Sequence, residues 1–302
     1  MRIGLELCDQ FTAAALVGQD GIIHRKKQLD SYKNRPSEAL LDLTALCRAL
    51  PEEEGLPWEA VVELGVCSPD FGGNGRLTWP GWEDIPLAER LGESLGRTVL
   101  SESRVGSMLL AEGIFGAARG DSSAVMVLLD TGEGGALLAD DRLGEPPYAK
   151  RRMTLVSDGA SGWEDWEGAA SLHSLVEAAR REGRKAPESL VARMEAAEGA
   201  LTPDRVLLAA SEGDEAARQA LDRYVESAAA GIAGLVRVLQ PQRILLGGTA
   251  RGDLLLPLLQ RRAAAMLSGR CVAVPPILWG TLGEDAALIG AALLGVYRIG
   301  GM

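Results

Sequence analysis

The sequence is poor in the residues that most often carry metal and redox chemistry. Its 302 residues include two histidines, His24 and His173, and four cysteines, Cys8, Cys47, Cys67 and Cys271, with no C-x-x-C pair among them. That spacing speaks against disulfides and against a thiolate metal site, and it predicts buried free thiols. Positive charge is also short: 31 Lys and Arg stand against 42 Asp and Glu, a net charge of −11, which argues against non-specific binding to nucleic acid or to an anionic membrane. No apolar run is long enough to span a bilayer, and the chain opens directly into a strand pattern, so a cytoplasmic protein is expected. Low-complexity segments and long linkers are missing too.

What remains is a globular composition, 47% apolar, on a chain longer than one compact core usually holds, so two domains are predicted. The stretch that organises them runs over residues 125–143. An apolar strand stops at Asp130-Thr131-Gly132-Glu133-Gly134-Gly135, and a second apolar strand returns to a polar turn at Asp140-Asp141. Glycines at such a tip allow positive φ and let backbone N–H groups approach phosphate oxygens. An echo lies at residues 3–17, with a turn at Cys8-Asp9-Gln10 and an acid, Glu6, near the tip as Asp130 is in the other. Two hairpins, each opening an α/β half, predict a duplicated domain with a ligand cleft between the halves.

Taken in order, residues 36–50 have helical periodicity that Pro51 is expected to close, and residues 61–67 form a strand running into the polar, glycine-rich loop from Ser68 through Asp70 to Gly75. Strand ends of this kind are where α/β proteins hold ligands. Trp79 and Trp82 beyond it form either a pocket wall or a loop fastened by buried tryptophans. A strand at 99–101 leads through Glu102, Ser103 and Arg104 into a helix over 105–118, whose buried side is expected to carry Leu109, Leu110, Ile114 and Phe115. Helices are also expected at 215–239, 254–267 and 285–296, with strands at 243–246 and 272–278.

At this point the residues resemble the ROK family of sugar kinases and repressors. Leu239-Gln240-Pro241-Gln242-Arg243-Ile244-Leu245-Leu246-Gly247-Gly248 is similar to the family's helix, proline turn, strand and adenosine-side glycines, and Leu282-Gly283-Glu284-Asp285-Ala286-Ala287-Leu288-Ile289-Gly290-Ala291-Ala292 to its closing helix. Thr131-Gly132-Glu133-Gly134-Gly135 resembles the second phosphate hairpin, and Leu109-Leu110-Ala111-Glu112 the helix after the catalytic loop. The resemblance implies a two-domain actin-like α/β ATPase fold with an interdomain cleft. It divides the chain into a first domain over 1–118, completed by a closing helix over 287–302, and a second over 119–286. It implies ATP and Mg²⁺ as the family's cofactors, nucleotide contacts at Glu6, Asp9, Gln10, Thr131, Gly132, Gly134, Gly247 and Gly248, and sugar contacts at Asp70, Ser103, Arg104, Arg152 and Glu167. The repressors' N-terminal winged helix-turn-helix is missing, so direct DNA binding is not expected; a homodimer with a sugar or sugar phosphate as its small-molecule partner is.

The family's catalytic positions read differently here. Its Asn-Asp pair, whose Asp is the general base for the sugar hydroxyl, falls on Ser103 and Arg104, and a guanidinium cannot accept a proton. Glu102 is the candidate substitute. The first phosphate loop, Gly-Gly-Thr in the family, reads Cys8-Asp9-Gln10, which sets a carboxylate against the phosphates and predicts weak ATP binding, although Mg²⁺ near Glu6 would offset part of the repulsion. The Glu-Ile-Gly-His motif falls on Ala149-Lys150-Arg151-Arg152 and the zinc cysteines are replaced, so zinc is not expected. The resemblance therefore leaves open an inactive or strongly impaired kinase homologue that binds a carbohydrate or an anionic sugar derivative, an active ATP-dependent sugar kinase, and a structural subunit lending an interface to an active partner. Arg104 itself has two readings: a donor to an anionic sugar, or a partner of Glu102 or Glu167.

Overall fold

The computed structural model describes residues 1–71, 76–129, 135–139, 142–144, 154–156, 163–198, 201–248, 254–268 and 273–299. The chain divides into two compact units, one formed by Met1–Ala124, Ala136–Gly144 and Gly280–Met302, the other by Val125–Gly135 and Glu145–Trp279.

The first unit begins with strands β1 (Arg2–Leu7), β2 (Phe11–Val17) and β3 (Ile23–Asp30), an antiparallel meander. Helix α1 (Pro36–Glu53) follows, then β4 (Glu63–Ser68), α2 (Leu87–Leu95), β5 (Val99–Ser103) and α3 (Arg104–Phe115).

 Helix α2 spans Leu87–Leu95 and closes on Gly96 in the left-handed region at φ 65°. The sheet order is β3-β2-β1-β4-β5, with β1, β4 and β5 parallel. Strand alternation sends Ile3, Leu5, Leu7 and Val66 to one face, where they meet Leu43 and Leu50 of α1 and Leu91 of α2 in a single core. Helix α1 runs past Pro51 to Glu53 rather than ending there. The proline removes one N–H from the last turn, and that turn is closed by three-residue bonds from Glu54 N–H to the Pro51 carbonyl and from Gly55 N–H to the Glu52 carbonyl. At the edge of the sheet the basic run of β3 is matched by carboxylates, Arg25 with Glu54, Lys26 with Asp285 and Lys27 with Glu53, so the exposed edge carries charge rather than apolar surface.

The chain goes on through β6 (Ser123–Leu128) and the antiparallel pair β7 (Gly135–Ala139) and β8 (Arg142–Gly144). The second unit contains the antiparallel pair β9 (Thr154–Val156) and β10 (Trp163–Asp165), then helices α4 (Trp166–Ala169), α5 (Leu172–Lys185), α6 (Leu190–Glu198), α7 (Pro203–Ser211) and α8 (Glu215–Leu239). Strand β11 (Arg243–Gly247), helix α9 (Leu255–Leu267) and strand β12 (Ile277–Trp279) complete it, with β12, β11 and β6 side by side. Helix α8 has the expected bounds because its ends are encoded locally: the Asp214 carboxylate accepts from Ala217 N–H at 2.8 Å, and Gln240 takes the left-handed conformation before Pro241. Its small residues let neighbours come close; a Cβ at Gly231 would fall 1.9 Å from the Trp166 ring. The last strand is shorter than the expected 272–278, because Pro275 and Pro276 have no N–H for a ladder.

From Gly280 the chain belongs to the first unit again. The helix expected over 285–296 is two pieces, α10 (Ala286–Ala292) and α11 (Leu294–Ile299), separated at Leu293, whose N–H bonds back to the Gly290 carbonyl at 3.0 Å. Every residue of α10 is buried. It lies on the sheet face opposite α1 and α2, backbone against backbone. A Cβ at Gly4 would sit 2.0 Å from the Leu288 carbonyl oxygen, one at Gly65 2.0 Å from that of Ala291, and one at Gly290 1.7 Å from that of Ser107 in α3. Gly4→Ala or Gly65→Ala is therefore expected to lower stability by about 1–3 kcal/mol or more, since a carbonyl cannot swing aside as a side chain does. Gly168→Ala, with open space around it, serves as the control. Urea denaturation midpoints of the three variants check this; a neutral Gly4→Ala would contradict the packing described.

Candidate functional site

The parallel strands bring the chemistry-bearing residues of the first unit to one edge. Glu6 of β1 lies opposite Cys67 of β4, which lies opposite Glu102 of β5. Beyond these carboxyl ends come the Cys8-Asp9-Gln10 turn, the loop carrying Asp70, and the first residue of α3, Arg104.

Glu6 is almost fully buried, its side chain 3% exposed, and its Oε1 accepts from Arg104 Nε at 2.7 Å. The Cys8 thiol also points at that oxygen, from 3.6 Å. A carboxylate in such a place needs a cation, and a guanidinium supplies a permanent one. The partners considered for Arg104 from the sequence were Glu102 and Glu167; the structure sets it on Glu6 instead, 98 residues away. Glu102 is engaged elsewhere: its Oε1 accepts from the Ser103 N–H at 2.8 Å and the Ser103 hydroxyl at 3.0 Å, beside the positive end of α3. The Ser103 hydroxyl in turn accepts from Gly106 N–H at 3.1 Å as the N-cap of α3. Ser103 and Glu102, candidates for sugar contact and for the base, are thus tied into the start of a helix.

Asp9 and Gln10 are exposed at the hairpin tip. The uncompensated Asp9 charge expected from the sequence is corrected by Lys33, whose ammonium stands 2.6 Å from Asp9 Oδ2. The loop after β3 is fixed on this hairpin by the Ser31 hydroxyl, which donates to the Cys8 carbonyl at 2.8 Å. Asp70 accepts from Trp79 Nε1 at 2.6 Å, and Trp82 Nε1 donates to the Lys33 carbonyl at 3.0 Å. Both indoles are buried, edge to face with centroids 5.7 Å apart. The tryptophans therefore fasten their loop, and Asp70 is part of the fastening. Cys8, Cys47 and Cys67 are buried free thiols; burial pushes Cys47 up to about 12 and Cys67 well above its ordinary value, so neither is a thiolate at neutral pH.

Sequence reasoning gave no role to Glu112, which is 1% exposed on the inner face of α3. It accepts from the N–H groups of Ala117 at 2.7 Å and Leu282 at 2.8 Å and from the Thr281 hydroxyl at 3.1 Å. Gly116 and Gly280 make room for it, since a Cβ at either would fall 2.0 and 2.7 Å from its carboxylate oxygens. This is also why α3 stops at Phe115 and not at 118. The one signal was an acid placed directly after Leu109-Leu110-Ala111 in an apolar stripe.

In the second unit, Gly247 ends β11 and its carbonyl accepts from Leu129 N–H at 3.2 Å, while Gly248 has φ 134°. Glu167 lies in α4. Thr131, Gly132, Gly134 and Arg152 lie outside the described residues. Among the described residues no group of three or more His, Cys, Asp or Glu is placed to share a metal ion.

The Glu6–Arg104 pair makes a stability prediction. Arg104→Ala leaves a buried carboxylate without its cation and is expected to cost about 3–5 kcal/mol, whereas adding Glu6→Gln to that variant should restore part of the loss. Chemical denaturation of the single and double variants checks it, and additive losses would mean that the two residues do not interact.

Comparison with known proteins places this architecture. The ROK family model matches residues 2–145 and 166–296. The chain is 25% identical to a glucokinase of Thermotoga maritima over 99% of this chain and 98% of that protein. It superposes on the ROK family glucokinase of Streptomyces griseus, solved in complex with glucose and AMPPNP, with a TM-score of 0.79 at 23% identity, covering 97% of this chain and 98% of that one. The ROK hexokinase of Thermus thermophilus gives a TM-score of 0.79 at 22% identity, covering 100% and 99%. The fold is the actin-like α/β ATPase fold of these proteins, and with the family model matched along nearly the whole length, the chain belongs to the ROK family.

Proposed function

We propose that this ROK sugar-kinase homologue has lost phosphoryl transfer, or retains it only in strongly impaired form, and that it binds a carbohydrate or an anionic sugar derivative. The observation that carries the reading is the ion pair between Arg104 and Glu6. In the family resemblance Arg104 stands where the general base belongs, and such a base contributes about 10²- to 10⁴-fold in rate. An arginine cannot take the hydroxyl proton. Glu102, the nearest substitute, already accepts two hydrogen bonds at the N-terminus of α3.

The Mg²⁺ that the resemblance implies does not fit Glu6 in this chain. Its Oε1 has a guanidinium nitrogen at 2.7 Å and a thiol at 3.6 Å, and a divalent cation brought to the same carboxylate would be set against the positive charge already there. An active kinase is the second reading. The full-length similarity to a glucokinase favours it, and phosphoryl transfer depends chiefly on positioning and electrostatic stabilisation.

Incubation with MgATP and glucose, mannose or N-acetylmannosamine separates the two, with little or no phosphorylated product expected. Clear turnover with any of these hexoses would overturn the first reading. For the ligand, thermal-shift screening of neutral sugars, hexose phosphates and uronic acids is expected to give stabilisation by at least one class, and an anionic ligand held by Arg104 should lose its effect in Arg104→Ala.

A further inference from the structure

We infer that Arg104 and Lys33 are built-in counter-cations that take the place of a divalent metal at the first hairpin, so that this chain binds a phosphate-bearing ligand without one. The inference rests on the reading that this hairpin belongs to the ligand site, and it is independent of whether transfer occurs.

Both acids of the hairpin have a cation of the chain's own. Arg104, from the first turn of α3, stands 2.7 Å from Glu6, and Lys33, from the loop after β3, stands 2.6 Å from Asp9. The two cations come from separate elements, and each is held in place. Arg104 follows the Ser103 cap, whose hydroxyl accepts from Gly106 N–H at 3.1 Å. The Lys33 backbone is gripped by Trp82 Nε1 at 3.0 Å, and Ser31 ties the same loop to the Cys8 carbonyl at 2.8 Å.

A divalent ion between carboxylates and phosphates offsets negative charge on both. Here the carboxylate half of that work is done by two ion pairs whose cations are tethered to the chain and cannot diffuse away. A phosphate arriving at the hairpin meets a balanced pair of ion pairs rather than two bare acids, so the repulsion that makes a metal necessary is largely gone. Guanidinium and ammonium are, in addition, the side-chain groups that best suit phosphate oxygens.

The test is ATP and glucose 6-phosphate binding, followed by calorimetry, in excess EDTA and in excess Mg²⁺. For the wild-type chain the affinity for at least one of the two is expected to agree between the conditions within about twofold. Arg104→Ala uncovers Glu6, and its affinity is expected to fall about tenfold or more in EDTA and to recover in Mg²⁺. Lys33→Ala, at a partly exposed position, should show the same direction with smaller size and serves if the buried substitution fails to fold. Wild-type binding that disappears in EDTA, no binding of either ligand in either condition, or unchanged affinity in both variants would overturn the inference. Turnover with MgATP would refute the impaired-kinase reading while leaving metal-independent binding in place; metal-dependent binding without turnover would do the reverse.

Discussion

The first unit depends on how closely α10 approaches its sheet. A helix whose backbone touches strand backbone requires glycine on the strands, and Gly4 and Gly65 provide it under the carbonyls of Leu288 and Ala291. The same helix accepts α3 against Gly290, where the Ser107 carbonyl fills the space of a side chain. Three elements are thereby drawn together with little room for adjustment, as dense packing demands. One consequence is positional: the start of α3 is delivered to the carboxyl end of β1, which is where Arg104 meets Glu6.

That meeting explains how a buried glutamate and a largely buried arginine can both be accommodated at this edge of the sheet. A lone arginine in a buried position, or a lone glutamate, would leave an uncompensated charge; together they leave none. Asp9 and Lys33 repeat the arrangement at the exposed tip, where it contributes less to stability because water screens it. With both pairs formed, neither acid of this hairpin is left without a cation of the chain's own.

Much of the fold was legible because it is written locally. Helix α8 has the bounds expected for it, 215–239, because Asp214 caps one end and Gln240 before Pro241 closes the other, both short-range features. The misreadings came where a local rule was overridden by a neighbour. Pro51 fails to stop α1 because the turn closes around it, and α3 ends early because the Glu112 carboxylate takes the Ala117 amide. The site was less legible. Candidate residues could be named from the sequence, but their partners could not, since Glu6 and Arg104 are 98 apart and Asp9 and Lys33 are 24 apart in sequence. No periodicity encodes a contact at such separations; it follows from strand order and helix placement.

The same physics explains why the family resemblance is strong in one place and weak in another. The motif from Leu282 to Ala292 includes the whole of α10, where every residue is buried and Gly290 has no space for a side chain. Packing of this kind admits few residue types at each position, so the motif stays readable even at 25% identity to a relative. The hairpin tip and the strand ends are constrained differently. Asp9 and Gln10 are exposed, and what stands there is limited by charge balance rather than by volume. A charge there is tolerated where one of opposite sign stands beside it, as Lys33 stands beside Asp9, and that condition is separate from the close packing that fixes the scaffold.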